Sequence, residues 1–190
     1  MNKAIFIDKD GTLINDVPFN VKPRLVSYTP FAMDALRILQ DDGYLLIIVS
    51  NQSGVAKGYF TELELAILIN RIRTDLAAHD VDISGFYYCA HYPDTLLSRY
   101  NVRCDCRKPA PGMILQAADD FDIDLTKSWM IGDILDDMEA GKRAGCKTIL
   151  LNVGNETAWE FNDLRTPTYY ANDLIAAAGI ILNDTNMISK

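Results

Sequence analysis

Basic residues are scarce in this chain of 190: 18 Lys and Arg stand against 26 Asp and Glu, a formal charge of −8. Duplex binding rests on clustered Lys and Arg that neutralise phosphates, so this balance argues against a nucleic-acid partner. It also requires any anionic substrate to meet a local positive site or a metal. Long apolar runs are missing as well. The longest, Leu174 to Leu182, covers nine residues, far short of the ~20 that a membrane helix needs, so no membrane association is expected. Near the first residue, Ala4-Ile5-Phe6-Ile7 is stopped by Asp8, too short for the apolar region of a secretory signal; a cytoplasmic protein is expected. Cysteines are few. Four of them, with no export signal, fit thiols or metal ligands better than a disulfide framework. With no internal repeat and no stretch rich in Pro, Gly or Ser to divide the chain, residues 1–190 are read as one domain, and a monomer is the default.

What is present is an ordinary globular composition, 49% apolar and 23% charged. Apolar runs alternate with helical patterns. Ala4 to Ile7, Tyr44 to Val49, Ile83 to Cys89, Trp129 to Ile131 and Thr148 to Val153 read as strands. Phe31 to Gln40, Thr61 to Ala78, Pro111 to Phe121, Asp133 to Ala144 and Asp173 to Leu182 read as helices, the second opening on a Thr61–Glu64 capping box and the fourth closing on Gly145. The alternation predicts an α/β fold: a Rossmann-like parallel sheet with helices on both faces. Ligands in such sheets sit beyond the carboxyl ends of the strands. The residues there are Asp8-Lys9-Asp10-Gly11-Thr12, Ser50-Asn51-Gln52-Ser53-Gly54 and Gly132-Asp133, all polar and glycine-containing. Two long irregular stretches, Asn15 to Pro30 and His91 to Ala110, are of a length that is usually functional or otherwise held.

Asp8 and Asp10, two apart in an extended segment, point their carboxylates at one volume. A hard divalent cation such as Mg²⁺ relieves the repulsion, with Asp133 as a further ligand and Asp137, one helical turn on, able to support the metal shell. Taken singly, Asp-x-Asp-Gly is also common turn chemistry, Gly132-Asp133 could be a helix N-cap, and Lys108 could be a solvated loop lysine. A calcium loop is excluded, because counting from Asp8 puts Leu13 where its glycine belongs and Phe19 where its glutamate belongs. Cys89-x-His91 and Cys104-x-Cys106 form a Cys₃His set suited to tetrahedral Zn²⁺; four protein ligands leave no open position, so such a zinc would be structural. It would pin the loop that leads to Arg107 and Lys108. The bland reading is three reduced thiols and an unrelated histidine. Cys146 reads as a small buried apolar residue, and His79 as a helix-end residue without a role.

Asp8-Lys9-Asp10-Gly11-Thr12, the strand ending in Ser50-Asn51, Lys108, and Gly132-Asp133-x-x-x-Asp137 resemble, in order, the four motifs of the haloacid dehalogenase superfamily of phosphotransferases. The resemblance implies that Asp8 is the nucleophile that becomes an aspartyl phosphate and that Asp10 is the general acid and then the general base. Lys108 and Ser50 would hold the transferring phosphoryl group, and Asp8, Asp133 and the Asp10 carbonyl would hold Mg²⁺. With Cys89 to Pro109 included, the chain is similar to the zinc-bearing branch that contains the heptose bisphosphate and histidinol-phosphate phosphatases. The stretches Ser50 to Gly58 and Tyr87-Tyr88-Cys89 favour the heptose side. The implied reaction is removal of the 7-phosphate from a heptose 1,7-bisphosphate, on a route to lipopolysaccharide or S-layer glycan precursors; a histidinol-phosphate phosphatase is the alternative. Arg107 would contact the second phosphate, Asn51 would line the substrate site, and no large cap domain is expected, leaving Asn15 to Pro30, Asn51 to Lys57 and the zinc loop to form the rim. Lys9 stands where the heptose enzymes usually carry Arg, with its side chain expected to point away from the nucleophile.

Overall fold

Continuous apolar runs suit a parallel sheet because helices bury it on both sides. Such a run, Lys3–Ile7, forms the central strand β1, with every residue after Lys3 buried. The chain, seen as a computed structural model, is described over residues 1–95 and 97–188. The loop expected over 91–110 therefore has one position, 96, outside the described residues. Along the chain follow α1 (Ala32–Asp41), β2 (Tyr44–Asn51), the single turn α2 (Ser53–Ala56), α3 (Glu62–Ala77), β3 (Gly85–Cys89) and α4 (Gly112–Asp120). Then come β4 (Trp129–Gly132), α5 (Leu135–Ala144), β5 (Lys147–Leu151), β6 (Tyr169–Ala171) and α6 (Leu174–Ile188).

All neighbouring strands are parallel, in the order β3-β2-β1-β4-β5-β6. β1 pairs with β2 from Lys3 opposite Tyr44, and with β4 from Ile5 opposite Trp129. The two-residue period of a strand divides the core. Ile5 and Ile7 pack with Leu36 and Leu39 of α1, Leu65 and Leu68 of α3, and Leu174 of α6. Ala4 and Phe6 face the other way, onto Met113 and Ala117 of α4 and Ala140 of α5. The strand order reverses between β1 and β4, so the crevice for a ligand opens where Asp8 and Asp133 leave the sheet.

Three expectations need correction. The fourth helix begins at Leu135, not Asp133, because Ile134 is its N-cap and the Asp137 carboxylate reaches back to the Ile134 N–H at 3.3 Å. Asp133 is thereby left outside the helix and free to face the crevice. The expected fifth strand stops at Leu151, and a sixth strand follows that periodicity does not reveal; it has three residues, two of them exposed tyrosines. The third strand begins at Gly85, since Ile83 and Ser84 precede regular pairing.

Candidate active site

β1 ends at Ile7, and a tight turn follows in which the Leu13 and Ile14 amides both donate to the Lys9 carbonyl and the Gly11 amide to the Ile14 carbonyl. Gly11 is required there: its φ is +85°, and a Cβ would lie 2.1 Å from an Asp133 carboxylate oxygen. The turn delivers Asp8 to the floor of the crevice, 7% exposed, beside Asp133 at 4% and Asp137 at 0%. One carboxylate oxygen from each of these three lies within 4.8 Å of the others.

Lys108 crosses from the loop before α4 and is itself buried. Its ammonium bonds the Asp8 carboxylate, lies 2.6 Å from Asp137 and donates to the Val49 carbonyl at 3.0 Å. Asn51, at the end of β2, fixes the Lys108 backbone with both ends of its amide, Nδ2 donating to the carbonyl and Oδ1 accepting from the amide, each at 3.0 Å. Asn51 also lines the crevice, and one donor and one acceptor of its amide are engaged in holding Lys108. Thr12 donates to Asp133 Oδ1 at 3.0 Å, and Asn155 to Asp133 Oδ2 at 2.8 Å.

Burial pushes the Asp8 carboxyl well above the usual carboxylate range; Lys108 draws it back, while Asp137, Asp133 and Asp10 push it further up. Asp133 is raised to about 6, by burial first and then by Asp137. Burial disfavours charge on Lys108 too, yet Asp137 and Asp8 outweigh it and keep the ammonium protonated beyond the ordinary lysine range. Three buried carboxylates against one ammonium leave two negative charges uncompensated. That is the charge of one divalent cation, and all-oxygen donors are what Mg²⁺ takes. The residues therefore fit the metal that the sequence pattern implied.

The Asp10 carboxylate is outside this group of three and stands nearer the mouth, a third exposed. Lys9 lies almost wholly buried with its ammonium 2.5 Å from Asp10 Oδ1. Gln52 Nε2 donates to Asp10 Oδ2 at 3.0 Å and to Ser50 Oγ at 2.7 Å. A cavity of about 250 Å³ is lined by Lys9, Asp10, Asn51 and Gln52 together with Pro18, Phe19 and Asn20. Above it the three expected rim segments meet: Lys57 Nζ sits 4.9 Å from the Phe19 ring and 4.6 Å from the Tyr92 ring, and the Arg107 guanidinium 5.0 Å from the same Tyr92 ring.

Behind the crevice, β3 ends at Cys89, whose Sγ lies 3.1 Å from Cys106 Sγ and 3.6 Å from Cys104 Sγ. His91 presents Nδ1 to this group, 3.4 Å from Cys106 and 3.9 Å from Cys89. These spacings approximate the ~3.8 Å edge of a tetrahedron with sulfurs ~2.3 Å from its centre. All four donors lie within 4.8 Å of one another. The Cys104 thiol is lowered to about 7: burial opposes ionisation, but hydrogen bonds from Cys106, His91 and the Arg107 backbone prevail. The donor set and its spacing thus suit zinc.

The family model described as HAD-hydrolase-like matches residues 105–177. D-glycero-beta-D-manno-heptose-1,7-bisphosphate 7-phosphatase of Salmonella typhi is 39% identical over 170 residues, covering 85% of this chain and 90% of that protein. The enzyme of the same name from Haemophilus influenzae is 42% identical over 161 residues, 84% of this chain and 87% of that protein. This chain belongs to the heptose bisphosphate phosphatase family of HAD-like hydrolases. The crystal structure of D,D-heptose 1,7-bisphosphate phosphatase from B. bronchiseptica, complexed with magnesium and phosphate, superposes with a TM-score of 0.78 at 30% identity, covering 96% of this chain and 99% of that one. The HAD-like hydrolases of this family are phosphomonoester hydrolases, and the Rossmann-like sheet here is theirs.

Sequence patterns point to Asp8, Asp133, Lys108 and Ser50; Lys9, Thr12 and Gln52 fall inside the same strand-end segments without an assigned role, and Asn155 is not singled out. Gln52 lay inside a motif already singled out, directly after two site residues. Asn155 gave no such signal, because it enters from an irregular loop. Of the loop arginines, Arg99 turns to stack on Tyr100 at 4.5 Å. His79 is exposed at the end of α3, and Cys146 is buried with its thiol raised to about 12 by burial.

Proposed function

We propose that this HAD-like hydrolase removes the 7-phosphate of D-glycero-β-D-manno-heptose 1,7-bisphosphate through an aspartyl phosphate on Asp8. The observation that carries the reading is the buried Asp8 carboxylate, ion-paired to Lys108 at the point where the strand order reverses. An Asp8 oxygen attacks phosphorus while Lys108 and the Ser50 hydroxyl hold the transferring oxygens. Asp10 gives its proton to the departing sugar oxygen, then takes one from the water that breaks the acyl phosphate, which restores Asp8 and frees inorganic phosphate. Magnesium, held by the Asp8 and Asp133 carboxylates and the Asp10 carbonyl, would screen the charge between the nucleophile and the phosphoryl group. Arg107 and Lys57, turned together by the Tyr92 ring, supply positive charge for the second phosphate. Cys89, His91, Cys104 and Cys106 would hold a structural zinc that fixes the loop leading into Lys108. The relatives named above carry the same activity in their names, and their similarity extends over most of both chains.

A specificity profile tests this. Heptose 1,7-bisphosphate should be hydrolysed with a higher kcat/KM than sugar monophosphates or histidinol phosphate, and Asp8→Asn should abolish phosphate release. A profile led by histidinol phosphate, or turnover surviving in Asp8→Asn, would reject the substrate or the nucleophile respectively.

A further inference from the structure

We propose that Lys9 and Gln52 form a clamp on the Asp10 carboxylate, aiming it between the leaving oxygen and the attacking water. The inference rests on the reading of Asp8 and Asp10 given above. Lys9 is the observation that calls for an explanation. Its side chain is 1% exposed, and a buried ammonium is costly unless paired. Its ammonium meets Asp10 Oδ1 at 2.5 Å, whereas an apolar side chain of the same length would fill this space without a desolvation cost.

Gln52 holds the other oxygen. Its NH₂ end faces Asp10, and a carboxyl oxygen can accept this bond even while its other lone pair carries the proton that the first half-reaction needs. The two hydrogens of that NH₂ serve two partners: Asp10 Oδ2 at 3.0 Å and Ser50 Oγ at 2.7 Å. Ser50 is therefore an acceptor toward Gln52, and its own hydrogen is left to point at the phosphoryl oxygens. One amide thus couples the phosphate-binding hydroxyl to the acid/base carboxylate, while Lys9 secures that carboxylate from beneath.

In the first half-reaction the bond from Asp8 to phosphorus forms as the ester P–O bond breaks, and the proton of Asp10 passes to the leaving oxygen. In the second, water oxygen bonds phosphorus, its proton passes to Asp10, and the Asp8–phosphorus bond breaks. A carboxylate free to rotate away serves neither half. An activated ester such as p-nitrophenyl phosphate needs no proton for its leaving group, so the two halves can be separated.

The test uses Lys9→Met, Gln52→Leu and the conservative Lys9→Arg, assayed on heptose 1,7-bisphosphate and p-nitrophenyl phosphate with rapid-quench detection of phosphoenzyme. Lys9→Met and Gln52→Leu should lose on the order of 10²-fold in kcat on the sugar phosphate, the size of a general acid/base contribution, with little change in KM. On p-nitrophenyl phosphate each should release about one equivalent of nitrophenol near the wild-type rate and then stall as phosphoenzyme, and Lys9→Arg should restore turnover. An unchanged kcat, a loss confined to KM, or equal slowing of the nitrophenol burst would overturn the clamp. Failure of the nucleophile reading looks different: no phosphoenzyme in any protein, wild type included. Failure of the substrate reading leaves the nitrophenyl arm intact.

Discussion

Gly132 shows how one missing side chain fixes the chemistry. A Cβ there would lie 2.2 Å from Asp137 Oδ2 and 2.4 Å from its Cγ, and Asp137 cannot retreat, being fully buried and held by Lys108 at 2.6 Å. Gly132→Ala should therefore cost about 1–3 kcal/mol, the usual range for overpacking a core, each kcal/mol lowering Tm by about 2–4 °C. Because the displaced carboxylate is a Lys108 partner, kcat should fall more than stability does. A melting curve with an activity assay checks both, and wild-type values in either would show that Asp137 can move. At this scale the sequence is informative through combination: Asp8, Asp10, Ser50 and Asp133 each have a bland reading alone, but together they cluster at or just after strand ends, with Lys108 on a later loop. The bonds of Asn155 and Thr12 to Asp133 are not legible, since a side chain that bonds a carboxylate is of the same type as one that bonds water. Asp137 is legible as a residue but its partner is not: the sequence puts it in the metal shell, and in the structure it also supports the lysine.

Among the elements, the loop between β3 and α4 carries the most candidate site residues with the least regular structure. Cys89 is the last residue of β3, Cys106 lies two residues before Lys108, and Asn51 of β2 grips the Lys108 backbone on both sides. A metal closing the Cys89, His91, Cys104 and Cys106 set would hold the lysine at one end just as Asn51 does at the other. Purified protein should then contain about one zinc per chain. Stripping that zinc with a strong chelator should lower Tm and abolish activity, and added zinc should restore activity where magnesium alone does not. Full activity in protein shown by metal analysis to lack zinc would end this role. The strands β1, β2 and β4 were readable from sequence because they are buried on both faces and continuously apolar. β6 was not, since a three-residue edge strand with two exposed tyrosines has no periodicity to detect, and α2, a single turn, is too short to show one.

For the whole molecule, the charge balance and the metal are one problem. A chain of formal charge −8 places three carboxylates in its interior and only one ammonium against them. Asp133 takes up its proton at about pH 6, against about 3.9 in an unfolded chain. Below about pH 4 folded and unfolded chains both carry that proton, and Asp133 then costs the folded state nothing through ionisation. As pH rises through 6 the folded protein must give up a proton that burial favours keeping, so stability present at low pH is lost. The shift at Asp8 acts in the same direction. Lys108, raised in turn, contributes stability that persists until pH exceeds its folded pKa, well above this window. Magnesium bound at these carboxylates would compete with those protons and relieve the repulsion that they mask. Protein dialysed free of magnesium should therefore gain more in Tm from added Mg²⁺ at about pH 7.5 than at about pH 5. Asp133→Asn should abolish most of that gain while raising the Tm of the magnesium-free protein at the higher pH. An Mg²⁺ effect of equal size at both pH values, or one unchanged in Asp133→Asn, would mean that the ion binds away from these carboxylates.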